Sequence, residues 1–145
     1  MIALIQRVSQ AEVRSGERSL GRIDRGIVAL VGVKKSDDEA GAERLLARLL
    51  AFRIFPDAAG RMNLDLAAIG GGLLLIPQFT LVADTAHGNR PGFSAGAPAG
   101  LAQSLFDHLV AQARERHPAV ATGLFGAHML VSLINDGPVT FWLET

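Results

Sequence analysis

Asn135-Asp136-Gly137-Pro138-Val139-Thr140 lies between two strand-like apolar runs, Met129–Ile134 and Val139–Leu143. How that stretch is read decides how the C-terminal part of the chain folds. Asn and Asp favour turns, Gly tolerates positive φ, and Pro fixes φ and has no N–H to donate. Those residue types predict a hairpin turn, with the two apolar runs as its strands. An X-Pro bond in a tight turn is also where a cis peptide costs least, about 0.5–1 kcal/mol against roughly 3 elsewhere.

Upstream, the strand signals continue. Ile2–Val8 is apolar and β-prone and predicts a first strand. Ala11–Arg14 and Arg18–Ile23 flank Ser15-Gly16, a second hairpin signal. Ile27-Val28-Ala29-Leu30-Val31 is a continuous apolar run of the kind found in fully buried strands. Gly70-Gly71-Gly72 introduces another, Leu73–Ile76, which stops at Pro77 and resumes at Thr80-Leu81-Val82-Ala83. Val120–Leu124 is a further short strand. Two segments have helical period instead. Ser36-Asp37-Asp38-Glu39 has the form of a capping box and opens a helix to about Ala51, with Ala42, Leu45, Leu46, Leu49 and Leu50 facing the core. Pro98 at the first helical position opens a second, about Ala99–Arg116, that buries Leu101, Leu105, Leu109 and Ala113. Arg114 and Arg116 complement the dipole at its C-terminal end. The expected class is α+β: one domain over 1–145, an antiparallel or mixed sheet, and two main helices.

Composition narrows the function classes. With 145 residues, 49% of them apolar and 19% charged, the chain can bury a sizeable core. Fourteen basic and fourteen acidic residues balance, which argues against strong non-specific nucleic-acid binding and leaves room for a local basic patch. Without cysteine there is no disulfide, thiolate nucleophile or Cys-ligated metal. The apolar run Met1–Ile5 is too short for a signal peptide and no run is long enough to span a membrane, so the expected compartment is the cytoplasm.

Candidate chemistry is sparse. Gly92-Phe93-Ser94-Ala95-Gly96 matches the nucleophile-elbow pattern, making Ser94 a candidate for a serine esterase, but neither a strand before it nor a helix directly after it is expected. Asp84–Pro98 is a long polar loop, and such loops are often functional. His87, His108, His117 and His128 lack the spacing of a metal site; His108 and His117 are expected at the surface, and neither metal nor cofactor is expected. In Pro77-Gln78-Phe79-Thr80-Leu81 a proline interrupts an apolar strand, as at an edge or bulge, and a bulge can aim backbone N–H groups at a ligand. In an extended chain Gln78 and Thr80 would share a face.

Taken together, several stretches resemble the D-aminoacyl-tRNA deacylase family over nearly the whole length. They are Leu4-Ile5-Gln6-Arg7-Val8, Arg53-Ile54-Phe55, Gly60-Arg61-Met62-Asn63, Gln78-Phe79-Thr80-Leu81, Gly88-Asn89-Arg90-Pro91, Thr122-Gly123, Phe125-Gly126-Ala127, Met129 and Asn135–Thr140. The resemblance implies a homodimer of small β-barrel-like subunits with flanking helices. It implies hydrolysis of the ester that joins a D-amino acid, or glycine, to the 3′-terminal adenosine of tRNA. Gly137-Pro138 would be a Gly-cis-Pro pair entering the partner's active site as a chiral gate, held in orientation by Arg7. Gln78, Phe79 and Thr80 would receive and process the aminoacyl-adenosine, with Met129 and Pro77 in the substrate pocket. Thr80 is one candidate to lead the chemistry. Backbone groups with the substrate's own ribose 2′-OH are the other, and the one we favour. Where the family usually has serine before the glutamine, this chain has Pro77, which removes a hydroxyl and an N–H from the pocket rim. That departure raises a rival expectation, a catalytically weakened dimer that only binds the RNA end. His87 and His128 likewise stand where lysine and an acidic residue are common.

Overall fold

The computed structural model describes residues Met1–Thr145. Eight strands form in chain order: β1 Ile2–Ser15, β2 Arg18–Ile23, β3 Gly26–Gly32, β4 Phe55–Pro56, β5 Met62–Leu64, β6 Gly72–Pro77, β7 Val120–Thr122 and β8 Leu130–Glu144. Three helices join them: α1 Glu39–Ala51, α2 Leu66–Ile69 and α3 Ala99–Arg116. The main sheet runs β2-β1-β3-β6-β7, with β8 on the other edge of β1; β4 and β5 make a small separate hairpin. β1 is antiparallel to β2, β3 and β8, whereas β3, β6 and β7 are mutually parallel, so the sheet is mixed. It curls until β2 lies against β7, where Gly21 sits beside Ala121 and Thr122. The result is the barrel-like α+β architecture expected, with the short α2 in addition.

Alternation along the strands explains how both sheet faces are filled. Ile27, Ala29, Leu73 and Leu75 point to the layer where α1 and α3 pack. Val28, Leu74 and Ile76 point the other way, into the curl, with Val8, Val13 and Ile23. At Gly26 and Gly72 the strands come so close that a Cβ on Gly26 would lie 2.0 Å from the Gly72 carbonyl oxygen, an approach only glycine permits.

The helices differ from expectation in detail. Asp38, not Ser36, caps α1, accepting from the Gly41 N–H at 2.7 Å. Asp37 turns back instead to the Lys34 N–H, at 2.6 Å. α3 buries Ala102, Leu105, Phe106, Leu109, Val110 and Ala113, while Leu101 is exposed. Those six follow the i, i+3, i+4 series, and Leu101 is one residue off it. His117 is buried as well, its Nε2 2.7 Å from the Gly71 carbonyl oxygen, because the chain leaving α3 dives back toward β6. His108 is half-buried, 3.5 Å from Glu43 of α1.

Two strand expectations are overturned. Thr80–Ala83 does not resume a strand; Phe79–Val82 is a 3₁₀ turn. Gln78 N–H makes one more bond to β3, at the Val31 carbonyl, and then Leu81 and Ala83 bond back to Gln78 and Thr80. Pro77 is not on an edge strand but ends an interior one, past the point where β7 has stopped alongside Leu75.

Residues 129–143 are not a hairpin either. Leu130–Ile134 pairs with Arg14–Gln10 of β1, and Thr140–Glu144 pairs with Gln6–Ile2 of the same strand. Between the pairs Gln6–Thr140 and Val8–Asn135, β8 spends five steps where β1 spends two, so the surplus residues bulge from the ladder. β1 is long enough to template both halves, and that continuous pairing displaces the local turn.

Candidate active site

At the C-terminal end of β6 the chain turns sharply, and a cleft of about 410 Å³ opens there. Pro77, Gln78, Phe79 and Met129 line it, as do Phe125 and the start of α3 at Ala99. No ionisable side chain is among its ten lining residues. Phe79 is 64% exposed and packs against Phe93, ring centroids 5.1 Å apart at 50°. Thr80 does not line the cleft; its hydroxyl accepts a hydrogen bond from the Gln78 side-chain amide. The two side chains meet because the 3₁₀ turn brings them together, not because they share a face of a strand. That same turn leaves the Phe79 and Thr80 N–H groups as its first donors, and neither has an acceptor within the protein. Met129 is fixed by its own surroundings. Its Sδ accepts from the Leu124 N–H at 3.3 Å and lies where a Cβ on Gly123 would come within 2.8 Å.

The second cluster lies at the β8 bulge. The Gly137–Pro138 peptide is cis, and both residues are exposed. Arg7 of β1 is buried beneath them. Its Nε donates to the Asp136 carbonyl at 2.9 Å, its Nη1 donates to the Ile54 carbonyl at 2.7 Å, and the Asp136 carboxylate is 3.2 Å away. Asn135 braces the bulge from within: its Oδ1 accepts from the Val139 N–H at 2.7 Å and its Nδ2 donates to Thr140 Oγ1 at 3.0 Å. Gly137 has φ +145°, and a Cβ there would lie 2.5 Å from Val139 Cγ2 and 2.9 Å from its backbone nitrogen. Neither Gly137 nor Pro138 lines the cleft. One chain therefore brings Pro77, Gln78, Phe79 and Met129 together, and separately Arg7, Gly137 and Pro138, without joining the two groups.

The other candidates are not assembled into sites. Ser94 is exposed in a turn and makes no side-chain hydrogen bond to any histidine or carboxylate that would act as its base. No group of three or more His, Asp or Glu residues is placed to hold a metal ion. The bracing by Asn135, the Arg7 contacts to Asp136 and Ile54, and the contribution of Phe125 and Ala99 to the cleft were not anticipated. Asn135 and Phe125 were nonetheless inside the stretches singled out, and the Arg7–Ile54 contact joins two of those stretches.

The family described as D-Tyr-tRNA(Tyr) deacylase matches residues 4–144 of the chain. A D-aminoacyl-tRNA deacylase of Thioalkalivibrio sulfidiphilus is 61% identical over 144 residues, covering 99% of this chain and 97% of that protein. The chain belongs to the D-aminoacyl-tRNA deacylase family. A deacylase of the same name from Burkholderia mallei is 59% identical over 150 residues, covering 100% of this chain and 99% of that one. Among solved structures, the c-Myc DNA Unwinding Element Binding Protein superposes with a TM-score of 0.94 at 32% identity, covering 100% of this chain and 99% of that one. A probable eukaryotic D-amino acid tRNA deacylase shares the fold, with a TM-score of 0.88 at 14% identity and coverage of 99% and 98%. As a member of a D-aminoacyl-tRNA deacylase family the chain is a hydrolase that serves translation quality control.

Proposed function

We propose that this deacylase hydrolyses the ester between a D-amino acid, or glycine, and the 3′-terminal adenosine of tRNA, in a site that two copies complete together. The observation that carries the reading is the division of the chain into two half-sites. One is a cleft without ionisable side chains, at the start of a 3₁₀ turn whose Phe79 and Thr80 N–H groups have no acceptor within the protein. The other is a braced, exposed bulge that does not reach it. In the homodimer, Gly137-Pro138 of one copy enters the cleft of the other. The unpaired outer edge of β8, with Leu130, Ile134, Phe141 and Trp142 exposed, supplies apolar surface for that association.

An aminoacyl ester is already activated, so positioning and stabilisation of the oxyanion suffice. Water adds to the ester carbonyl, and the negative charge that develops on its oxygen is met by the Phe79 and Thr80 N–H groups. The tetrahedral intermediate then collapses, breaking the bond to the ribose 3′-oxygen, which takes up the proton that water gave up. The neighbouring 2′-OH is the group placed to relay that proton, and Gln78 with Thr80 holds the rim. Chirality is set by exclusion. The Gly137 and Pro138 carbonyls face the substrate α-carbon, so an L side chain collides with main chain that Arg7 prevents from moving. Rejecting the L-form a thousandfold needs about 4 kcal/mol, which a hard steric clash supplies. Glycine carries nothing to collide and passes. No helix is long and apolar enough to cross a membrane; a charged tRNA as substrate supports reading the reaction as cytoplasmic.

The test is single-turnover deacylation of matched D- and L-aminoacyl-tRNA, with and without a chelator. Cleavage of the D-form alone, unaffected by the chelator, is expected; equal cleavage of both defeats the gate. Thr80→Ala should keep most of the rate, and a substrate ending in 2′-deoxyadenosine should lose most of it. If Thr80 led the chemistry the two results would be reversed. A weakened dimer that only binds the RNA end, the reading Pro77 raises, would bind the D-substrate without turnover.

A further inference from the structure

Phe79 lines two spaces at once. On one side is the substrate cleft; on the other is a small apolar cavity of about 60 Å³ bounded by Phe93, Val82 and Phe106. Phe93 lines only the second. Phe79, together with Pro77, Gln78 and Phe125, thus lies between the two spaces, and the Phe93 ring packs on the Phe79 ring, with centroids 5.1 Å apart. Phe93 reaches that place on a strap that is fastened at both ends. Gly92 and Asp84 exchange two backbone hydrogen bonds, at 2.7 and 2.8 Å. Beyond the phenylalanine, Ala97 N–H bonds to the Val33 carbonyl at 3.0 Å and Lys35 N–H to the Ala95 carbonyl at 3.2 Å, tying the strap to the end of β3. Phe93 is itself 43% exposed, so its ring is not held there as part of the main core.

We propose that Phe93 is a positioning residue for the deacylation reaction, acting through Phe79. The proposal rests on the reading of the cleft given above. The strap presses the Phe93 ring against the back of the Phe79 ring. That contact keeps Phe79 from swinging into the small cavity, holds the cleft at its width, and sets the direction of the N–H groups that begin the 3₁₀ turn. With Phe93 cut back to alanine, the Phe79 side chain gains room on the side away from substrate. The turn that carries the oxyanion donors then loses its orientation. Phe93 touches no reacting atom; its effect is expected in kcat and much less in KM. A residue that only stabilised the fold would lower the melting temperature and the active fraction, and leave kcat per folded chain unchanged.

The experiment is a double-mutant cycle on the whole protein with D-aminoacyl-tRNA: wild type, Phe93→Ala, Phe79→Ala and the pair, each with its melting temperature. Phe79→Ala keeps the backbone donor while removing the ring. A displacement of this kind costs about tenfold to a hundredfold in rate, so Phe93→Ala should lose that much kcat with KM within about threefold. Added to Phe79→Ala it should cost nothing further, because the buttress has nothing left to hold. Phe93→Leu, which refills much of the same space, should recover most of the rate; should the alanine variant not fold, Phe93→Val, which leaves the back of the Phe79 ring only partly supported, takes its place in the cycle and should also lose kcat with KM little changed. Ser94→Ala, one residue along the strap, should match wild type. Wild-type kcat in Phe93→Ala, or losses that multiply in the double variant, would overturn the proposal. Absence of turnover by the wild type would instead overturn the assignment of the reaction, so the two failures are told apart.

Discussion

Gly137 and Arg7 carry opposite kinds of necessity. Gly137 must have no side chain, since its φ of +145° and the neighbouring Val139 nitrogen, 2.9 Å from where a Cβ would stand, leave no place for one. Arg7 must have a forked one, since it donates to carbonyls that lie 129 and 47 residues away in the chain. Gly137→Ala therefore has to move backbone, and the proposed gate would move with it. Its ratio of D- to L-aminoacyl-tRNA cleavage should fall by at least about tenfold, measured by single-turnover assay; the chiral gate is misplaced on the molecule if the ratio holds. At this scale the sequence was informative where chemistry is local: a glycine before a proline marks an unusual backbone. It linked Arg7 to the Gly137-Pro138 pair only through the family resemblance and gave no sign of its contact with Ile54. An arginine's neighbours depend on which segments the fold brings to it, and nothing near residue 7 names Ile54.

Elements are where local rules were most often overruled. Asn135–Thr140 has every feature of a hairpin turn, yet β8 runs straight through it, because each half has a stronger partner in β1 than in the other half. The turn residues then brace a bulge instead. Asn135→Ala would leave the part-buried Val139 N–H without its 2.7 Å acceptor. It should lower the unfolding free energy by about 1–2 kcal/mol in a urea titration and slacken D/L discrimination with it. The far end of β8 carries a pH-dependent contact. Glu144 is held below the ordinary carboxylate range first by the hydrogen bond from Lys34 and then by that from Trp142. A carboxyl whose folded pKa is depressed stabilises the fold above its unfolded pKa, and that contribution disappears as pH falls through the folded value. Wild type and Glu144→Gln should thus differ slightly in melting temperature at neutral pH and converge in acid. Because Glu144 is solvent-exposed, the difference should also shrink in high salt. The helices were better read than the strands: α1 and α3 end where the apolar period ends. Phe79–Val82 was misread because four residues of mixed polarity are too few to separate a strand from a 3₁₀ turn.

For the whole molecule the decisive feature is that the cleft and the bulge belong to one chain and not to one place on it. A cross-subunit site makes a prediction that no single-chain site shares. A Gly137→Ala chain keeps a sound cleft and should admit L-substrates. A Met129→Trp chain, with its cleft plugged, should be inactive yet keep a sound bulge. Mixed and allowed to exchange with the second chain in excess, the first should stop cleaving L-aminoacyl-tRNA while it continues to cleave the D-form. Unchanged L-cleavage on mixing would mean that no bulge is shared between copies. Residue order alone settled the α+β class, the two long helices with most of their buried positions, and the motifs that place this chain in its family. Each of these follows from short-range periodicity or from side-chain identity at fixed spacing. The long pairing of β1 with β8, the conversion of an apparent turn into a projecting bulge, and the burial of Arg7 beneath it were decided only in three dimensions. Those contacts join residues more than 100 positions apart, and their energies depend on partners that no local window contains.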